Sequence, residues 1–140
     1  MAKESGLGVT TFSIDDAAGS PQAVLNDVTS LSIKTPSGIQ DVTGLNKSAH
    51  ERLLLLADGS FDYTFVFNDV ATTGIHTVLR AYRTLASNQV GRTHTFVHSG
   101  QTLAMECLLT DFPLTRAADG SFGGSVTAQL SDGSLPAWSG

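Results

Sequence analysis

An alternation of apolar and polar positions runs through most of this chain, and its clearest stretch is residues 60–67. Aromatic side chains occupy every second position there, at Phe61, Tyr63, Phe65 and Phe67. This is typical of a strand that packs one face on a core. An apolar run, residues 53–57, and the dipeptide Asp58-Gly59 come directly before it. Because Asp-Gly favours two-residue turns, the pattern predicts a hairpin over residues 51–68 that turns at Asp58-Gly59.

Both faces of this predicted hairpin are at least half apolar. Its turn would place Leu54 and Leu56 on the face of the aromatic residues, and Leu53 and Leu55 on the opposite face with Asp62. One face is expected to pack on the core. The other is either covered by the rest of the domain or part of an assembly.

Four other segments carry the two-residue period of strands or the turn residues of hairpins. They are a strand over residues 9–14, a strand ending at Ile33, a hairpin over residues 92–112 about Ser99-Gly100, and a hairpin over residues 112–130 near Asp119-Gly120. Gly123-Gly124 in the last hairpin indicates a bulge or a close approach of backbone. Alternation in the hairpin of residues 92–112 places one set of side chains on a common face: His94, Phe96, Leu103, Met105, Cys107 and Leu109.

One segment has the period of a helix instead. Its apolar residues are Ile75, Val78, Leu79, Tyr82 and Leu85, which form a single stripe. They predict a helix at about residues 73–86, with Thr72 or Thr73 as its cap. The expected fold is therefore mainly β with one flanking α-helix, which must lie on a sheet or over its edge.

Residues 34–47 are polar and interrupted by glycine and proline, and they are predicted to form one long loop. Loops of this length without their own structure are uncommon in compact domains and tend to be functional or disordered. With 140 residues, the chain is expected to form a single domain over residues 9–132. Residues 1–8 are predicted to be an N-terminal arm, and residues 133–140 a C-terminal tail that docks through Trp138.

The charge balance argues against a protein that grips nucleic acid. Acidic residues number 13 and basic residues 8, for a net charge of −5, whereas such a protein needs clustered Lys and Arg. The single cysteine excludes an internal disulfide framework and favours a reducing compartment. No signal peptide is expected from the first residues, and the longest apolar run, residues 53–57, is too short to span a membrane.

Candidate chemistry is sparse. His94 and His98 would lie about 13 Å apart along one strand, too far to share a metal, so no metal site and no cofactor is predicted. Cys107 shares a face with His94, but a buried small hydrophobic role is preferred over that of a nucleophile. The aromatic stripe of residues 61–67 fits a packed core better than a platform for stacking bases or sugars. No hydrolase or phosphate-binding motif is present, and no enzymatic activity is expected.

Taken together, several stretches resemble the major tail tube proteins of long-tailed bacteriophages. They are Asp41-Val42-Thr43-Gly44-Leu45, the strand start Glu51-Arg52-Leu53, Asp58-Gly59-Ser60-Phe61, the strand end Phe67-Asn68, and the single helix followed by strand hairpins.

The resemblance implies a tail-tube-type β-sandwich or partly open barrel, whose subunits form hexameric rings that stack into a hollow tube for DNA ejection. The implied partners are other copies of the chain, a tape measure protein and other tail proteins. Genomic DNA would pass through the lumen without specific binding, and no membrane would be involved. The implied location is the tail of the virion, with assembly in the host cytoplasm.

The resemblance also implies roles for particular residues. Asp62 and Thr64 are candidates for the lumen surface. A loop between subunits would comprise Pro36, Ser37, Gly38, Ile39, Gln40, Asp41, Val42, Thr43, Gly44, Leu45, Asn46 and Lys47.

Three alternatives stay open at this point. A tail terminator or head–tail joining protein would share the fold and form one ring. A carbohydrate-binding β-domain of a virion would expose an aromatic platform. A small hydrolase would use Cys107 and His94.

Overall fold

The computed structural model describes residues 3–80 and 91–140. Its strands are β1 (Val9–Asp15), β2 (Pro21–Ala23), β3 (Val28–Lys34), β4 (Ser37–Asp41), β5 (Arg52–Ala57), β6 (Ser60–Val66), β7 (Arg92–His98), β8 (Gln101–Leu109), β9 (Thr115–Arg116), β10 (Phe122–Leu130) and β11 (Trp138–Ser139). The helix α1 spans Ile75–Arg80, and 3-10 turns span Gly6–Gly8 and Leu25–Asp27. The mainly β prediction is confirmed. The predicted helix residues Tyr82 and Leu85 lie outside the described residues.

The large sheet curls so that its distant strands face each other. Its strands follow the order β2-β1-β7-β8-β10-β6-β3, with β9 paired to β10 and β11 paired to β8. Phe12 on β1 lies 5.6 Å from Phe61 and 5.2 Å from Tyr63 between ring centroids, although three strands separate β1 from β6 in this order. Because no described strand joins β3 back to β2, the barrel is open.

The alternation of apolar and polar residues correctly predicted which face of β6 packs on the core. Phe61, Tyr63 and Phe65 are buried on the concave side of the curled sheet. The hairpin of β7 and β8 turns at Ser99-Gly100 as predicted. Its predicted common face is buried at His94, Leu103, Met105, Cys107 and Leu109, and Phe96 is half-buried beside it.

The predicted hairpin over residues 51–68 is wrong. β6 pairs with β3 and β10, whereas within residues 3–80 and 91–140 the one partner of β5 is β4. The pairing of β3 with β6 and the pairing of β4 with β5 share one register. Lys34 lies opposite Ser60 in the first, and Ser37 lies opposite Ala57 in the second. Between them, the Asp58 amide donates to the Pro36 carbonyl at 2.8 Å. Residues 28–41 and 52–66 therefore form one long two-stranded ribbon, and the chain passes through Asp58-Gly59 without reversing.

The prediction of one long loop over residues 34–47 is also wrong. Residues 37–41 form β4, and the connection that reverses the ribbon comprises residues 42–51. The strand carries polar side chains and glycine with little apolar alternation, and all five of its residues are exposed. Its pairing with β5 makes it a strand, and sequence periodicity does not contain that pairing.

The predicted hairpin over residues 112–130 is correct only next to its turn near Asp119-Gly120. β9 pairs with residues 122–123 of β10, but the main partner of β10 is β6. The close approach predicted at Gly123 is present, because a Cβ added there would lie 2.1 Å from the Phe65 carbonyl oxygen. At the C-terminus, β11 pairs with β8, and the Trp138 ring meets Phe96 edge-on at 6.1 Å.

A buried carboxylate ties the start of α1 to the sheet. Asp27, just before β3, accepts hydrogen bonds from Asn68 Nδ2 at 2.9 Å and from the Ile75 backbone amide at 3.2 Å. The first helical amide thus donates to the carboxylate of a distant residue, where the sequence pointed to Thr72 or Thr73 as the cap.

Replacing Asp27 with Ala should destabilise the fold by about 1–3 kcal/mol, because one buried donor, the Ile75 amide, and one partly buried donor, the Asn68 side chain, would lose their acceptor. Urea unfolding monitored by circular dichroism would measure the change. The matched control is Asp69→Ala at an exposed position near the helix, for which we expect less than about 0.5 kcal/mol. Equal effects of the two substitutions would contradict the role of Asp27.

Candidate assembly surface

The fold brings Cys107 and His94 near each other but buries both side chains away from any substrate. His94 lies opposite Met105 on β8, so Cys107 is its diagonal neighbour, and both side chains are fully buried. Burial raises the pKa of the Cys107 thiol to about 12 and lowers the pKa of His94 to about 4. A neutral thiol and a neutral imidazole without access to solvent provide neither a nucleophile nor an exposed base.

His94 instead has a structural role. Its ring stacks on Phe61 at 5.8 Å, and its nitrogens lie 3.3 Å from the Tyr63 hydroxyl and 3.1 Å from the Arg92 carbonyl oxygen. The aromatic stripe is equally committed to the interior, since Phe61, Tyr63 and Phe65 are at most 2% exposed. A base- or sugar-stacking platform built on these three rings is thereby excluded.

In the described part of the chain, no cluster of three or more His, Cys, Asp or Glu side chains could hold a metal ion. Within residues 3–80 and 91–140, no helix is long and apolar enough to cross a membrane.

The exposed feature that stands out is the far half of the two-stranded ribbon, formed by β4, β5 and residues 42–51, which we call the leucine ribbon. Leu53, Leu54, Leu55 and Leu56 on β5 are 54%, 77%, 51% and 92% exposed. Ile39 on β4, directly opposite Leu54, is 56% exposed. Successive residues of a strand point to opposite faces, so both faces of the leucine ribbon present leucine to solvent.

Contiguous apolar surface of this kind marks an interaction site in a folded protein. The sequence pattern assigned Leu54 and Leu56 to the face of the aromatic residues, and this assignment is wrong because β5 never pairs with β6. One signal in the sequence could have identified the surface. Four consecutive leucines lack the polar alternation of a half-buried strand, and this strand follows a polar segment that offers no core partner.

The tip of the leucine ribbon is held by its own hydrogen bonds. Asp41 accepts from the Thr43 amide at 2.9 Å and from the Thr43 hydroxyl, and His50 Nδ1 lies 2.9 Å from its other oxygen. The Glu51 amide donates to the Thr43 hydroxyl at 2.8 Å. Hydrogen bonds hold the pKa of Asp41 below its ordinary value, and the largest effect comes from the Thr43 hydroxyl. The predicted loop residues 42–47 therefore form an ordered tip, which presents Leu45 fully to solvent.

Asp62 and Thr64 lie on the opposite side of β6 from the buried aromatic residues. Asp62 pairs with Lys34 at 3.4 Å and accepts a hydrogen bond from the Thr127 hydroxyl. Thr64 is exposed and bonds to the Ser125 hydroxyl at 3.4 Å. The outer face of β3, β6 and β10 around them is therefore mostly short and hydroxylated.

The fold has close counterparts among solved structures. A chain in the tail of an empty GTA particle, determined with helical refinement and C6 symmetry, matches with a TM-score of 0.72 at 17% identity over 98% of both chains. A chain in the virion of a native gene transfer agent (GTA) particle matches with a TM-score of 0.71 at 14% identity, over 99% of this chain and 100% of that one. No protein-family model matches the sequence, and no curated protein does. At such identities the likeness concerns the fold, and this chain has the fold of a protein found in the tail of a gene transfer agent particle.

Proposed function

We propose that this chain is a structural tail protein, which polymerises as stacked hexameric rings into a tube for DNA. The observation that carries the proposal is the leucine ribbon, with four leucines at least half exposed on a two-stranded projection. Burying a leucine contributes about 1.5–3 kcal/mol, so a surface of this kind is expected to be covered by a partner. The likeness to tail and virion chains makes other copies of the same chain the natural partner.

The C6 symmetry of the GTA tail supports six copies in a ring. A ring closes on itself, whereas contacts between stacked rings do not close and can therefore repeat along an axis. The open barrel suits such an arrangement, because an exposed strand edge such as that of β3 is protected when a neighbour covers it.

The outer face around Asp62 and Thr64 is the surface we assign to the lumen. Its lysine, Lys34, is engaged by Asp62 at 3.4 Å, and its other side chains include the hydroxyls of Thr64, Ser125 and Thr127. Attraction of a protein to DNA comes mainly from cations that neutralise phosphates. A hydroxylated face on a chain of net charge −5 would let DNA slide through without binding.

The remaining parts of the proposal follow from the role in a tail. The protein would assemble in the host cytoplasm and reside in the virion, with a tape measure protein and other tail proteins as further partners. It would use no cofactor and perform no catalytic step. The burial of Cys107 and His94 supports a role without catalysis.

Electron microscopy of the purified chain at rising concentration tests the proposal. We expect long hollow tubes with six-fold end views. Single rings at every concentration would contradict it in favour of a tail terminator or head–tail joining protein. Monomers alone at high concentration would contradict both, and binding on a glycan array would then point to a carbohydrate-binding domain of a virion.

A further inference from the structure

An apolar hollow of about 440 Å³ lies between the leucine ribbon and residues 131–139, which we call the C-terminal segment. Leu54 and Leu56 line it from the ribbon, and Leu130 and Leu135 line it from the end of β10 and the C-terminal segment. Leu54, Leu56 and Leu135 are each more than two-thirds exposed. Apolar side chains of one molecule thus border the same unfilled space from two separate elements.

The C-terminal segment is anchored to the barrel on both sides of Leu135. The Ser131 amide donates to the Glu106 carbonyl at 2.9 Å, and Trp138 in β11 pairs with β8. Both anchors lie along the part of β8 that β10 leaves uncovered, since β10 pairs with residues 107–109 of that strand. Leu135 therefore has a set position beside the barrel.

The leucine ribbon, by contrast, leaves the barrel at a bend where the ladder of paired residues is interrupted. Pairing stops at Lys34 and resumes at Ser37, and the Asp58 amide donates to the Pro36 carbonyl between them. Proline has no amide hydrogen, so Pro36 cannot donate to the opposite strand. A register shift between Ser37 and Ile39 follows directly, and irregularities of this kind bend a strand. The ribbon can therefore turn about this bend while the barrel keeps its shape.

We propose that the leucine ribbon of the free subunit turns about this bend and closes on Leu135, which shields its leucines until a neighbouring copy takes them over. The inference rests on the proposed function, and it specifies how assembly at the leucine ribbon is regulated. Closure removes Leu54, Leu56 and Leu135 from water together, so the hydrophobic effect favours it. The structure has the hollow open, and this is the state that can assemble.

The C-terminal segment and the neighbouring copy compete for the same leucines. Only the open fraction of subunits can be added to a tube, so the apparent affinity for addition falls with that fraction. If about nine subunits in ten are closed, assembly needs about tenfold more protein. Weakening closure should therefore promote assembly, whereas loss of the ribbon leucines should prevent it.

A disulfide that locks the closed state tests the proposal. The native cysteine, Cys107, is buried, so the introduced cysteines are the ones that react at the surface. In dilute protein treated with copper phenanthroline, L56C with L135C should lose both new thiols and still run as a monomer on a denaturing gel. This locked protein should form no tubes, and dithiothreitol should restore them to the level of L56C alone. The control pair L56C with A118C has its second cysteine between β9 and β10 and should keep both thiols.

The substitution L135D measures the competition without a disulfide. It should lower the concentration needed for tubes about three- to tenfold, because the ribbon loses the surface on which it closes. A118D adds the same charge at an exposed position and should assemble like the wild type. An unchanged concentration for L135D would overturn the proposal. A higher concentration would also overturn it and would assign Leu135 to the contact between copies.

Failure of this inference and failure of the proposed function give different results. If L56C with L135C keeps both thiols while the wild type forms tubes, closure is wrong and the tube function stands. If the disulfide forms within one chain but no variant forms tubes at any concentration, closure stands and the proposed function is wrong. Thermal melting followed by circular dichroism checks that each exposed substitution leaves the fold intact.

Discussion

Replacing both Leu54 and Leu56 with Asp is expected to abolish assembly and to leave the folded subunit intact. Both side chains are more than three-quarters exposed, so the subunit should lose less than about 0.5 kcal/mol per substitution. In the assembly, each substitution removes about 1.5–3 kcal/mol of apolar burial and adds the cost of desolvating a carboxylate. A loss of about 3 kcal/mol per contact raises the required concentration by more than about 100-fold.

Sedimentation and electron microscopy across a concentration series would measure assembly, and thermal melting would measure the fold. The matched control is Ala118→Asp, which adds the same charge at an exposed position between β9 and β10. This variant should form tubes like the wild type. Tubes from the Leu54→Asp/Leu56→Asp variant at the wild-type concentration would show that the leucine ribbon is not an assembly surface.

Replacing Gly123 with Ala is expected to cause a large loss of stability in the subunit. An added Cβ would lie 2.1 Å from the Phe65 carbonyl oxygen and 3.2 Å from the Val66 Cα. These atoms are backbone, and β6 and β10 pair over residues 60–66 and 123–129, so neither strand can retreat without breaking its hydrogen bonds. We expect a loss of about 3 kcal/mol or more in the free energy of unfolding.

Urea and thermal unfolding of purified subunits would measure this loss. The matched control is Gly6→Ala, where an added Cβ meets no heavy atom within 4 Å. Its free energy of unfolding should stay within about 0.5 kcal/mol of the wild-type value. If Gly123→Ala unfolds like Gly6→Ala, the close pairing of β6 and β10 at this point is wrong.

Two dipeptides show what local sequence can and cannot predict. Ser99-Gly100 and Asp58-Gly59 both read as two-residue turns between apolar runs. At Ser99-Gly100 both residues have positive φ, 53° and 75°, and β7 pairs with β8 in the expected register. At Asp58-Gly59 the strands on either side pair with other strands, and the Gly59 carbonyl accepts a hydrogen bond from Leu130. Local turn preference is outweighed there by seven residues of pairing between β6 and β10 and by the pairing of β6 with β3.

Local sequence is equally insufficient to locate the candidate assembly surface. The interval 36–47 was associated with contacts between subunits only through the family resemblance, and β4 and the ordered tip now lie within it. Leucines 53–56, which the pattern assigned to a hairpin packed on the core, are instead at least half exposed. A leucine in a core and a leucine at an interface have the same residue chemistry, and only the positions of their neighbours distinguish them.

Periodicity along the chain was enough to predict a mainly β fold, the buried face of Phe61, Tyr63 and Phe65, and the hairpin of β7 and β8. These features depend on side chains two residues apart or on strands joined by a short turn, so the information is local. The partners of β5 and β6, and therefore the exposure of the leucine ribbon, emerged only with the tertiary structure. They depend on competition among strands that are distant in sequence, and no local pattern records which pairing buries more surface.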